Sequence, residues 1–234
     1  MRTGVLWGVG VGPGDPDLIT RGAARAIAGA RVVAYPTLAG GSSFARAIAA
    51  DLIADGAREI AIDVPMSRER APAQAAYDDG AARIAAALDE GEDVVCLCEG
   101  DPFFYGSFMY LHARLKARFE IRVIPGVTSV SAASARVARP LAARNERVTI
   151  LPGPLDEAEL ATRIAEAEAV VVMKLGRHMA KVRGVIERLH LTERAIYVER
   201  ATLPEERIHP LSEAPEVAPY FSMILIAKGG DPWL

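Results

Sequence analysis

Cysteine is nearly absent. The chain of 234 residues has only Cys96 and Cys98, which excludes the disulfide framework that staples small secreted domains. The two lie two apart in one apolar run, so on a strand both side chains point to the same face, a poor geometry for a mutual disulfide. Buried free thiols suited to a reducing compartment are expected. No second Cys/His pair stands near them to complete a zinc site, and His112, His178, His190 and His209 show no HExxH spacing, so no bound metal is expected. Long apolar runs are missing too: nothing approaches the roughly eighteen residues a bilayer crossing needs. Arg2 is followed by neither a long apolar core nor a small-residue cleavage site. No membrane partner and a cytoplasmic location follow as expectations. An excess of one charge is also lacking, with 27 Lys and Arg against 30 Asp and Glu. That argues against a general nucleic-acid partner and makes any anion site local. No internal repeat or low-complexity segment is present.

What the chain does have is length for a sizeable core, a 51% hydrophobic composition and α/β patterning. Apolar runs at 5–11, 31–35, 58–62, 94–98 and 121–124 read as strands, with helical stretches at 15–29, 42–54, 71–90, 107–117 and 128–137 between and after them. Asp15 as cap and Pro16 at the first helical position are expected to open the first helix. Repeated βα order predicts a largely parallel sheet. The stretch 138–145, with Pro140 and weak periodicity, reads as the linker between domains at 1–140 and 146–234. Beyond it, strands are expected at 147–151, 169–174, 195–199 and 222–227, helices at 157–167 and 177–189, and a short edge strand near Ile208.

The most informative stretch is 94–110, VVCLCEGDPFFYGSFMY. A strand apolar throughout suits burial on both faces, and Glu99-Gly100-Asp101-Pro102 turns the chain at its carboxyl end, where open α/β sheets place ligands. Gly100 lets backbone approach a ligand, Pro102 biases Asp101 toward extended geometry, leaving its carboxylate free to face the crevice, and Phe103, Phe104 and Tyr105 supply flat walls. The early Gly8-Val9-Gly10-Val11-Gly12-Pro13-Gly14 fails the dinucleotide fingerprint, because Pro13 or Asp15 falls where the last glycine belongs. Asp15 would compete with a pyrophosphate at a helix start, and no acid ends the next strand at Ala34-Tyr35-Pro36. NAD, FAD and the common Rossmann-like methyltransferase arrangement are therefore disfavoured. Pro125-Gly126-Val127-Thr128-Ser129 puts hydroxyls in a first helical turn, as caps or as ligand contacts. Met173, ending 170–173, reads as core filler on its own.

Taken in order, GVGVGPGDPDLIT, CEGDPFFYGSFMY, PGVTSVSAASA and VVVMKLGR resemble the tetrapyrrole methylase family over residues 5–223. The resemblance implies two α/β domains, with S-adenosylmethionine bound in the cleft between them as methyl donor, and a homodimer. It places Pro13, Gly100, Asp101, Phe104, Tyr105, Gly106, Thr128, Ser129, Met173 and Ala201 at donor-binding positions. Glu99 departs from the family pattern, standing where many members have a second glycine. CEGDPFFYGSFMY, MKLGRH, VERAT and PYFSM are most similar to members that methylate carbon 20 of precorrin-2 in vitamin B12 biosynthesis. The cobalt-bearing form of that acceptor, uroporphyrinogen III, and a non-catalytic tetrapyrrole-binding module are the alternatives. A macrocycle fringed with acetates and propionates needs cations, for which Arg139, Arg144, Lys174, Arg177 and Arg200 are candidates. No residue is assigned as a catalytic base.

Overall fold

The computed structural model describes residues 2–38, 41–65 and 69–229. The chain forms two compact units, Met1–Thr128 and Ser129–Leu234. The division falls before the stretch expected as linker, and α5 (Ser129–Arg136) goes with the second unit. The expected domain ends at 1 and 230–234 lie outside the described residues.

The first unit holds β1 (Leu6–Gly10), β2 (Val32–Leu38), β3 (Arg58–Val64), β4 (Val94–Cys98) and β5 (Ile121–Ile124), in the order β3-β2-β4-β1-β5. Every pairing is parallel, as the βα repetition predicts. Helices α1 (Arg21–Ala28) and α2 (Phe44–Ile48) cover one face, and α3 (Arg70–Asp89) and α4 (Phe108–Leu115) cover the other. Strand β4 is buried throughout because alternate residues feed both cores, with Val95 and Leu97 on one side and Cys96 and Cys98 on the other. Both cysteines are free and share a face, and burial pushes the Cys98 thiol up to about 11.

Three expectations need correction. Asp15 caps only a 3₁₀ turn, Pro16–Leu18, and α1 starts later under Thr20, whose hydroxyl accepts the Ala23 N–H at 3.1 Å. The second helix stops at Ile48 and passes into another 3₁₀ turn. Strand β2 runs through Pro36, which lies beyond the last residue paired with β4, so its missing N–H breaks no bond to that strand.

The second unit contains β6 (Val148–Pro152), α6 (Glu157–Glu166), β7 (Ala169–Met173), α7 (Met179–Arg188), β8 (Ala195–Glu199), β9 (Arg207–Pro210) and β10 (Ser222–Ala227). Its sheet order is β6-β7-β10-β8-β9, with only β6 and β7 parallel and β10 antiparallel to both neighbours. The edge strand expected near Ile208 is β9. Helices α6 and α7 bury Leu160, Ile164, Val182 and Ile186 against Val170, Val172, Tyr197 and Ile224. No helix among the described residues is long and apolar enough to cross a membrane.

Candidate active site

In the first unit, β1 connects through α1 on one face of the sheet, while its neighbour β4 connects through α4 on the other. Adjacent strands whose connections leave to opposite faces form a crevice at their carboxyl ends. Three loops meet there: 11–15 after β1, 99–107 after β4 and 125–128 after β5. The first two are stitched by a bridge in which Gly100 N–H donates to Gly12 O at 2.7 Å and Gly12 N–H to Gly100 O at 3.3 Å. The third packs backbone against backbone. A Cβ on Gly10 would sit 2.6 Å from both Gly100 O and Gly126 N, and one on Gly126 would overlap the Gly100 carbonyl oxygen. Gly106 is equally confined, since its Cβ would fall 2.6 Å from Asp101 O and 2.8 Å from Cys98 Sγ.

Asp101 organises this cluster. Its Oδ1 accepts the Phe103 N–H at 2.9 Å, and its Oδ2 accepts the Gly126 N–H at 3.0 Å. The sequence suggested a carboxylate free to face the crevice; in the structure both oxygens are engaged, one within its own turn and one across to the β5 loop. Of the aromatics, Phe103 leans on α4, edge-on to His112 at 5.2 Å, so it is not a wall of the loop crevice. Phe104 and Tyr105 pack edge to face at 5.2 Å, with Tyr105 in the left-handed region at φ 56° and 45% exposed. Pro13 and Thr128 are half-buried in their loops, and Ser129 opens α5. Glu99 faces the start of α2, where it accepts a backbone hydrogen bond from Ala45, and burial raises its carboxyl above its ordinary value.

The second unit also gathers its sequence-marked residues at one sheet edge. Met173 ends β7, Arg200 and Ala201 follow β8, and the antiparallel β10 starts at the same edge, with Met223 opposite Met173 and Ser222 opposite Glu199. Gly153, after β6, joins them by donating its N–H to Met173 O at 2.7 Å. Lys174 takes φ 57°, and partial burial lowers its ammonium pKa. Arg177 and Arg200 are exposed, and Ala201 is buried. Beneath this edge Glu199 is 7% exposed and accepts the Tyr197 hydroxyl at 2.8 Å.

Arg139 and Arg144 are not brought there. The Arg139 guanidinium donates to Arg194 O at 3.1 Å and Ala227 O at 3.2 Å, at the opposite edge of the sheet, and Arg144 lies exposed ahead of β6, near that edge. Tyr220 and Phe221, which the sequence marked only within PYFSM, are 52% and 45% exposed and pack edge to face just before β10.

The two loop sets differ in their cations. Residues 8–16, 99–107 and 125–129 carry Asp15, Glu99 and Asp101 and no lysine or arginine, whereas the second unit's edge carries Lys174, Arg177 and Arg200 together with Glu199, Glu205 and Glu206. The sequence profile of the tetrapyrrole (corrin/porphyrin) methylases matches residues 5–215. The chain belongs to the tetrapyrrole methylase family. It is 40% identical to a precorrin-2 C(20)-methyltransferase of Sinorhizobium sp, over 97% of each chain. It is 46% identical to the cobalamin biosynthesis protein CobIJ of Mycobacterium tuberculosis over 97% of its own length, and spans 46% of that protein. The fold is similar to that of a uroporphyrin-III C-methyltransferase from Thermus thermophilus complexed with S-adenosylhomocysteine, with TM-score 0.68 and 26% identity over 95% of this chain and 97% of that one. Methylases of this family depend on S-adenosylmethionine. The first unit's loops fit such a donor: they hold no lysine or arginine to repel its sulfonium, and three confined glycines keep side chains out of the packed loop backbones.

Proposed function

We propose that the chain transfers a methyl group from S-adenosylmethionine to carbon 20 of precorrin-2, giving precorrin-3A in cobalamin biosynthesis. The observation that carries this reading is the placement of cations, with none in the first unit's three loops and Lys174, Arg177 and Arg200 gathered at one edge of the second. The Sinorhizobium relative, matched over nearly the whole of both chains, supports the choice of acceptor.

The donor supplies an electrophilic methyl carbon on a cationic sulfonium. Pro13, Gly100, Asp101, Phe104, Tyr105, Gly106, Thr128, Ser129, Met173 and Ala201 hold it. Asp101 acts chiefly by fixing the backbone of two loops at once. Lys174, Arg177 and Arg200 bind acetate and propionate groups of the acceptor, guanidiniums being suited to paired carboxylate contacts. Arg139 and Arg144 have no part in that contact. No nucleophilic side chain is required, because holding the donor carbon in line with an electron-rich ring carbon and excluding water supplies much of the rate. A homodimer without nucleic-acid or membrane partners belongs to the same reading.

Incubation of purified protein with labelled donor and, separately, precorrin-2, cobalt-precorrin-2 and uroporphyrinogen III tests it. Label is expected on precorrin-2. Transfer to uroporphyrinogen III alone would reassign the enzyme within the family, and tetrapyrrole binding without transfer would make it a binding module.

A further inference from the structure

The loop that carries Arg200 and Ala201 is backbone-strained. Arg200 and Thr202 adopt φ 49° and 72°, and for a β-branched residue that region is a steric outlier. Such conformations persist only where the surroundings over-determine them. Two restraints are backbone ones: Arg200 N–H donates to Phe221 O at 2.8 Å, and Leu203 N–H to Arg200 O at 3.0 Å. A third comes from a side chain. Glu206 Oε2 accepts the N–H of Thr202 at 2.7 Å. The Glu206 side chain is only 10% exposed and is anchored in turn by Arg136, in the last turn of α5, whose Nε lies 2.8 and 3.0 Å from its two oxygens and whose Nη2 lies 2.8 Å from Oε1.

We propose that Glu206 is a positioning residue for the methyl donor: pinned by Arg136, it holds Thr202 in its left-handed conformation and so sets where Ala201 and Arg200 lie. The proposal rests on the reading that Ala201 contacts the donor. Glu206 acts through the loop, as the residue that closes it before β9 begins at Arg207. What it must supply is an acceptor at one position, so a neutral amide oxygen at the same reach suffices, whereas truncation releases the loop.

Calorimetry with S-adenosylhomocysteine on the wild type, Glu206→Gln and Glu206→Ala tests this, with melting temperatures measured alongside. Binding by the wild type tests the donor reading itself. Given that binding, Glu206→Ala is expected to weaken affinity roughly tenfold, the loss of about one charge-assisted hydrogen bond. Glu206→Gln should stay within about threefold of wild type, less than half of that free-energy loss. A purely structural Glu206 would lower the melting temperature of the alanine variant and leave its affinity within about threefold, and that result overturns the proposal. So does a glutamine variant as weak as the alanine one, because that variant keeps an acceptor oxygen for Thr202. Should Glu206→Ala fail to fold, Glu206→Asp, one methylene too short to serve both partners, gives the same comparison with the same expected direction.

Discussion

Asp101→Ala removes a carboxylate whose two oxygens accept backbone N–H groups from Phe103 at 2.9 Å and Gly126 at 3.0 Å. Hydrogen bonds to a charged group contribute about 1.5–3 kcal/mol each, so for this half-buried pair the combined loss is roughly 2–4 kcal/mol. For a chain of this size about 1 kcal/mol moves the melting temperature by roughly 2–4 °C, so a fall of roughly 4–16 °C is expected. Because the Gly126 bond crosses between loops, losing it also frees the β5 loop beside Gly10 and Gly100, and S-adenosylhomocysteine should bind roughly ten- to a hundredfold more weakly. Asp101→Asn keeps one acceptor oxygen but sets an NH₂ against the other N–H, so it should fall between wild type and alanine on both scales. Calorimetry and thermal melts on the three proteins make the comparison. If the alanine variant melts several degrees lower yet binds the donor product normally, the carboxylate serves the fold alone and the donor site lies elsewhere.

Gly126→Ala should abolish donor-product binding or folding, because its Cβ overlaps the Gly100 carbonyl oxygen, whereas Gly22→Ala, whose nearest neighbour is 3.6 Å away, should stabilise α1 by roughly 0.5–1 kcal/mol. Chemical denaturation distinguishes the two. Burial raises the Glu99 carboxyl, so the fold favours its neutral form and loses that preference as pH rises through the shifted value; Glu99→Gln should therefore melt higher than wild type at neutral pH, with the gap closing near pH 4. Glu59 shows the opposite sign: Arg46 and the Tyr35 hydroxyl hold its carboxyl down at about 2. Both partners are partly exposed, so Glu59→Gln should cost no more than about 1 kcal/mol at neutral pH. That cost should disappear as pH falls from the ordinary carboxylate range toward 2.

Local chemistry decided which parts of this molecule were legible in the sequence. The all-apolar run before Glu99 could only be a strand buried on both faces, and it is β4; the helix expected over 71–90 is α3, Arg70–Asp89. Where two local signals competed, boundaries slipped: Asp15 and Pro16 do cap, but only one 3₁₀ turn, because Thr20 offers a second cap before the longer helical stretch. Pairing direction was illegible in the second unit, since β10 and β8 look alike as apolar runs whether parallel or antiparallel. Long-range commitments were equally hidden. Nothing around Arg139 signals that its guanidinium is held by carbonyls of Arg194 and Ala227, and nothing in GDP signals that Asp101 reaches Gly126. The strain at Thr202 likewise depends on Glu206 and its tie to α5, which no motif encodes.

The proposed reaction is methyl transfer to one ring carbon. Purified protein supplied with S-adenosylmethionine carrying carbon-13 in its methyl group, and with precorrin-2 carrying carbon-13 at carbon 20, should yield a product whose single new enriched methyl signal is split by one-bond coupling to carbon 20, with one S-adenosylhomocysteine released per product. Enrichment at any other ring carbon, or release of S-adenosylhomocysteine that does not depend on the tetrapyrrole, would contradict it.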